Sequence, residues 1–197
     1  MRTPLKYALL FVAACALSTG AMAHTGHGTH SLTEGLMHPF GADHLLAMLA
    51  VGIWSVSALP ASKVWQGPAT FMLALVISAG LGASGVGVPF LEHAIALSVT
   101  LFGAMLILAA KPVPKALGLG LIAAAAALHG LAHGAETPET GFAGYAAGFL
   151  LTTATLHLSG VGAGLSIRRW LADRSATALG TLGAALGFAG LYLFSQI

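Results

Sequence analysis

Cysteine is nearly absent from this chain. Its 197 residues contain one, Cys15, close to the amino end. Charge is almost as scarce, at 7% of residues, where a soluble domain averages about 25%. These shortages exclude several classes of function. With no thiol beyond residue 15 there is no disulfide framework and no thiolate metal site in the body of the chain. A net charge of +2 with no large basic cluster excludes a phosphate-tracking surface, so no nucleic-acid partner is expected. No Gly-x4-Gly-Lys-[Ser/Thr] stretch is present, which rules out ATP hydrolysis by a P-loop. No nucleophile constellation stands out in the apolar segments. The pair His129-Gly-Leu-Ala-His133 carries Gly130 where a zinc protease carries its glutamate. The chain does not read as an enzyme.

What is abundant is apolar surface, 57% of residues, gathered in long runs. The first run is short. Arg2 and Lys6 precede the apolar stretch from Tyr7 to Leu17, and Ala21-Met22-Ala23 fits a small-x-small cleavage site. This reads as a signal peptide over residues 1–23, leaving a histidine-rich periplasmic tail over 24–36. An uncleaved anchor and a lipoprotein box at Val12-Ala13-Ala14-Cys15 are the competing readings. The remainder, 37–197, is a transmembrane domain. A bilayer-spanning helix needs about 20 apolar residues, and six segments qualify, at roughly 37–59, 68–84, 89–110, 115–134, 142–165 and 176–195. The fold class expected is an all-α membrane protein, with a cleavable signal peptide followed by about six transmembrane helices.

Orientation follows from the basic residues. Lys63, Lys111, Lys115, Arg168, Arg169 and Arg174 all fall in the connections after spans one, three and five. The positive-inside rule puts those connections in the cytoplasm and both mature termini outside. For a bacterial inner-membrane protein this agrees with a cleaved signal peptide.

Ionisable groups within spans are costly and mark ion or substrate handling. His38-Pro39-Phe40-Gly41-Ala42-Asp43-His44 places three ligand-type residues at the outer end of span one. Pro39 suits the first position of a helix, which makes His38 a lip residue with Asp43 and His44 one turn further in. His129-Gly-Leu-Ala-His133-Gly-Ala-Glu136 lies at the outer end of span four. Residues four apart share a helix face, so His129 and His133 can chelate one ion, and Glu136 continues the stripe if the helix extends that far. Glu92 and His93 open span three as candidate ligands or orienting groups, and His157 sits deeper in span five as a similar group or a marker of the path inward. In the tail, His24, His27 and His30 can collect metal ions; after cleavage at Ala23, the free amine and imidazole of His24 form a chelate. The candidate metal set is therefore His38, Asp43, His44, His129, His133, Glu136, His93, Glu92, His157 and His24. Imidazole with carboxylate suits Ni2+, Co2+ and Zn2+.

Around these residues the chain resembles the HupE/UreJ family of small nickel or cobalt permeases. The resemblance rests on His38 through His44, followed by Leu46-Ala47-Met48 and Val51-Gly52, and on His129 through Glu136. The first stretch also carries the His-x4-Asp-His pattern of the broader nickel/cobalt transporter group. The resemblance covers nearly the whole mature chain. It implies secondary uptake of Ni2+ or Co2+ as cargo, with no prosthetic group, for hydrogenase or urease maturation, with His38, Asp43 and His44 as signature residues. A membrane protein that binds, senses or delivers metal without translocating it is the alternative. Glycines at 141, 144 and 148 and at 180, 183, 187 and 190 form stripes that let helices approach closely. They serve packing within the chain or a homo-oligomer interface.

Overall fold

The computed structural model describes residues 32–136 and 141–197. The expected signal peptide, Cys15, the tail histidines including His24, and Glu139 lie outside the described residues. Every regular element among the described residues is helical. A short helix α1, Leu32–Met37, runs into a 3-10 turn at His38–Phe40. Helix α2 spans Ala42–Ala58, α3 Gln66–Ala83, α4 Leu91–Leu108, α5 Lys115–Ala135, α6 Phe142–Trp170 and α7 Ser175–Phe194. Five segments are long and apolar enough to cross a membrane, or six if α1, the turn and α2 count as one broken span.

That break corrects the reading of span one as a continuous helix over 37–59. The chain bends by 74° between Leu32–Phe40 and Ala42–Ala58. Gly41, with φ −52° and ψ 140°, is extended where a helix would need ψ near −42°, so α2 starts afresh at Ala42. Pro39 initiates the 3-10 turn and not the long helix. The end of the expected tail, residues 32–36, is helical and docks on α6, where the Thr152 hydroxyl donates to the Leu36 carbonyl at 2.9 Å. Span five is also longer than its apolar run, because α6 continues through Arg168 and Arg169 to Trp170. The other boundaries fall within about two residues of the hydropathy estimate, the usual scatter of helix ends.

Glycine sets how the helices pair. A Cβ on Gly52 of α2 would collide with the His157 carbonyl of α6, and one on Gly160 would strike Leu49. The same backbone-to-backbone approach joins α3 to α5 through Gly82, Gly130 and Gly134, and α4 to α7 through Gly103, Gly183 and Gly190. Rising residue numbers pair with rising numbers in the first two cases, so α2 runs parallel to α6 and α3 to α5. The α4–α7 pair is antiparallel. Gly183 and Gly190 of the second stripe, and Gly144 and Gly148 of the first, are thus used for packing within this chain.

In lipid every polar group needs an internal partner. Most Ser and Thr hydroxyls on the spans bond back one turn, as Ser55 does to Val51, Ser78 to Ala74, Thr155 to Leu151 and Ser159 to Thr155. Leu73, Ile77, Leu158 and Phe188 are exposed on the outside of the bundle, as expected of side chains that face acyl chains. The basic residues Lys63, Lys111, Lys115, Arg168, Arg169 and Arg174 all lie in or beside the connections α2–α3, α4–α5 and α6–α7. The amino end of α2 and the carboxyl end of α5, which carry histidines, lie at the opposite end of the bundle.

Candidate metal centre

The break at Gly41 places Asp43 and His44 in the first turn of α2, pointing between the helices. The four-residue spacing on α5 sets His129 and His133 on one buried face. The two motifs meet there. His44 Nε2 lies 2.5 Å from His133 Nε2 and 3.3 Å from His129 Nδ1. His38 closes the outer side, with its ring centroid 4.7 Å from that of His133.

Hydrogen bonding assigns the ring protons. Ser98 of α4 donates its hydroxyl to the Ile95 carbonyl at 2.6 Å, so at 3.1 Å from His129 Nε2 its oxygen can only accept. The proton on His129 is therefore at Nε2, and Nδ1 presents a lone pair toward His44. Asp43 Oδ1 is 2.9 Å from His44 Nδ1. The pair is not aligned as a hydrogen bond, but the carboxylate favours the proton on that nitrogen electrostatically. His44 Nε2 then also presents a lone pair. On this assignment His133 Nε2 donates to His44 Nε2, and the lone pairs of His44 Nε2 and His129 Nδ1 are the two that a cation could use. A carboxylate behind a ligating imidazole is the usual support of such a site.

Further out, a nitrogen of His38, a nitrogen of His133 and a carboxylate oxygen of Glu136 lie within 4.8 Å of one another. Helix α5 ends at Ala135, and Glu136 is its C-cap, so the stripe ends at the helix terminus. The order of burial runs inward: Glu136 is exposed, His38 and Asp43 are half-buried, and His44, His133 and His129 are buried. The arrangement offers a cation carboxylate and imidazole at the surface and imidazole alone inside.

The Glu92–His93 pair divides. Neighbours on a helix point about 100° apart. His93 lies edge-on to Phe194 of α7, with ring centroids 5.1 Å apart. Glu92 is close enough to His44 to act on its charge, as is Glu136. His157 is buried against Phe71, with ring centroids 4.8 Å apart, outside the group in which His44 contacts His38, His129 and His133.

Sequence reasoning missed Ser98, Tyr145 and Phe149. The Tyr145 hydroxyl is 3.0 Å from His38 Nδ1, and the Phe149 ring packs on His133 with centroids 4.6 Å apart. The available signal was the spacing: Tyr145 and Phe149 share a stripe of α6 with His157.

If the two motifs form one site, His44→Cys with His129→Cys, in a Cys15→Ser background, should be linked by a short bifunctional thiol reagent. Bound Ni2+ should protect the pair. Failure of every short linker would place the motifs apart.

Comparison with known proteins bears on this geometry. Residues 12–193 match the family described as HupE / UreJ protein. The chain is 38% identical over 162 residues to Protein HupE of Rhizobium leguminosarum bv. viciae, covering 80% of this chain and 84% of that protein. No solved structure matches.

Proposed function

The chain belongs to the HupE/UreJ family, whose members are nickel or cobalt permeases and not enzymes, and on that premise we propose that it is a secondary transporter. It takes up Ni2+ or Co2+ across the bacterial inner membrane and supplies the maturation of a metalloenzyme such as a hydrogenase or urease. Both mature termini face the periplasm, and the metal enters at the ends of the helices that carry His38, Asp43, His44, His129, His133 and Glu136. The observation that carries the reading is the convergence of His44 Nε2, His133 Nε2 and His129 Nδ1 in a buried cluster. Two lone pairs face inward there, and a carboxylate lies behind one of the imidazoles.

Membrane potential supplies enough energy without ATP. One charge moving through 100 mV is worth about 2.3 kcal/mol. A divalent cation gains about twice that, roughly three decades of concentration.

Asp43→Asn keeps the shape of the side chain and removes its charge. In cells with matched membrane insertion it should lower Ni2+ accumulation by about 10–100-fold, the range for losing the group that orients a metal-bound imidazole. Co2+ should compete with Ni2+ for uptake by the unaltered protein. Normal accumulation in Asp43→Asn would refute the assignment.

A further inference from the structure

We propose that His157 and Thr153 of α6 form an inner cation-binding station, occupied by the ion after it leaves the outer histidine cluster. The proposal rests on the uptake reading and adds a second site along its path.

His157 is fully buried, and its Nδ1 lies 2.8 Å from the Thr153 carbonyl oxygen. A carbonyl only accepts, so Nδ1 carries the proton. The lone pair is therefore fixed on Nε2, which has no hydrogen-bond partner among the described residues. An imidazole that donates one N–H to a carbonyl while its other nitrogen stands ready is the arrangement in which histidine binds metals.

Thr153 supplies the second observation. It too is fully buried, and its Oγ1 has no partner. This departs from its neighbours on α6. Thr155, Ser159 and Ser166 on the same helix all turn their hydroxyls back to a carbonyl four residues earlier. Residues 153 and 157 share a face of α6, so one helix stripe carries a hydroxyl oxygen and an imidazole nitrogen that nothing among the described residues satisfies. Buried polar atoms are ordinarily paired, and a pair of exceptions one turn apart calls for an explanation. A cation in transit provides it, because both atoms offer lone pairs.

The position fits a path. Tyr145 and Phe149, on the same stripe, contact His38 and His133 of the outer cluster. The Phe71 ring of α3 neighbours both His129 and His157, with centroids 5.9 Å and 4.8 Å away. One phenyl ring thus links the cluster to the deeper imidazole. A station for a transported ion should bind weakly, and one neutral nitrogen with one neutral oxygen makes a weak site. Imidazole selects the same ions there as outside: Ni2+, Co2+ and Zn2+.

The test uses the full-length protein in two forms. Reconstituted in vesicles with an inside-negative potential, it gives the maximal rate of Ni2+ uptake. Solubilised, it gives equilibrium Ni2+ binding. Thr153→Val keeps the side-chain shape and removes a hydroxyl that makes no hydrogen bond, so it should not destabilise the fold. It should lower the maximal rate about tenfold, the size typical of weakening a metal site, and leave tight Ni2+ binding at the outer cluster unchanged. His157→Phe should lower the rate at least as much and also retain binding. A wild-type maximal rate in either variant overturns the proposal, and so does loss of Ni2+ binding together with uptake, which would make these residues supports of the outer cluster. If His157→Phe does not insert, Thr153→Val decides alone. The uptake reading fails separately, through normal transport in Asp43→Asn.

Discussion

His44→Ala is expected to lower Ni2+ uptake by about 100-fold or more, the largest loss for any single side chain in this protein. Removing a group that only supports a metal ligand costs about 10–100-fold, and on the proposed reading His44 is the ligand itself. Its Nε2 is the common vertex of the cluster, 2.5 Å from His133 and 3.3 Å from His129. Its other face meets Asp43. Without it the α5 histidines keep one shared helix face but lose the partner on α2. His93→Ala is the internal control. That ring packs on Phe194 and Phe90 at the α4–α7 side, so its loss should leave uptake within about twofold, as for a surface change. Uptake by the two variants is compared at equal membrane abundance. Equal rates would separate the histidine cluster from transport.

Gly52→Val should have the largest effect on stability. A side chain there meets the His157 carbonyl, the Val161 amide and the Gly160 backbone, none of which can rotate away. Helices α2 and α6 must separate. Overpacking a tight interior costs about 1–3 kcal/mol, and backbone on both sides puts this position at the upper end. For a chain of this size each kcal/mol lowers the midpoint by about 2–4 °C. The thermal midpoint of the solubilised protein should therefore fall by several degrees. Uptake should fall as well, because α2 carries Asp43 and His44 while α6 carries the Tyr145 and Phe149 contacts. Gly162→Val tests the specificity of the effect. A Cβ there meets nothing within 4 Å, so both measurements should match the parent protein.

The spans were legible because an apolar run of about 20 residues is one-dimensional information. Charge scarcity and the His129/His133 spacing were legible for the same reason: each is a property of one helix. The bend at Gly41 was not. Glycine is common in membrane helices, and nothing in the run from Met37 to Leu59 distinguishes a glycine that continues the helix from one that breaks it. Partners supplied by other helices were also hidden. Ser98 reads as one more hydroxyl in an apolar run, and only the approach of α4 to α5 makes it the acceptor that fixes the His129 proton. Glu92 and His93 are adjacent in sequence, but a helix turns neighbours about 100° apart, and the His93 imidazole lies edge-on to Phe194 while the Glu92 charge acts on His44. Signal-peptide cleavage and the His24 tail remain expectations of the sequence, since both lie outside the described residues.

The break at Gly41 also decides the sign of charge the mouth attracts. Because α2 begins at Ala42, its first amides have no carbonyl one turn back; Leu45 is the first to find one, at Gly41. The amino end of a helix behaves as about half a positive charge. Such an end, set beside the entrance, would by itself gather anions and repel the divalent ions this family carries. Asp43 stands in that first turn and reverses the local field. On α5 the polarity is opposite, since its carboxyl end carries about half a negative charge beside His133 and Glu136. On the proposed uptake reading, the aspartate set against a helix pole tunes which ions gather at the entrance, and Asp43→Asn should change that as well as how tightly one ion is held.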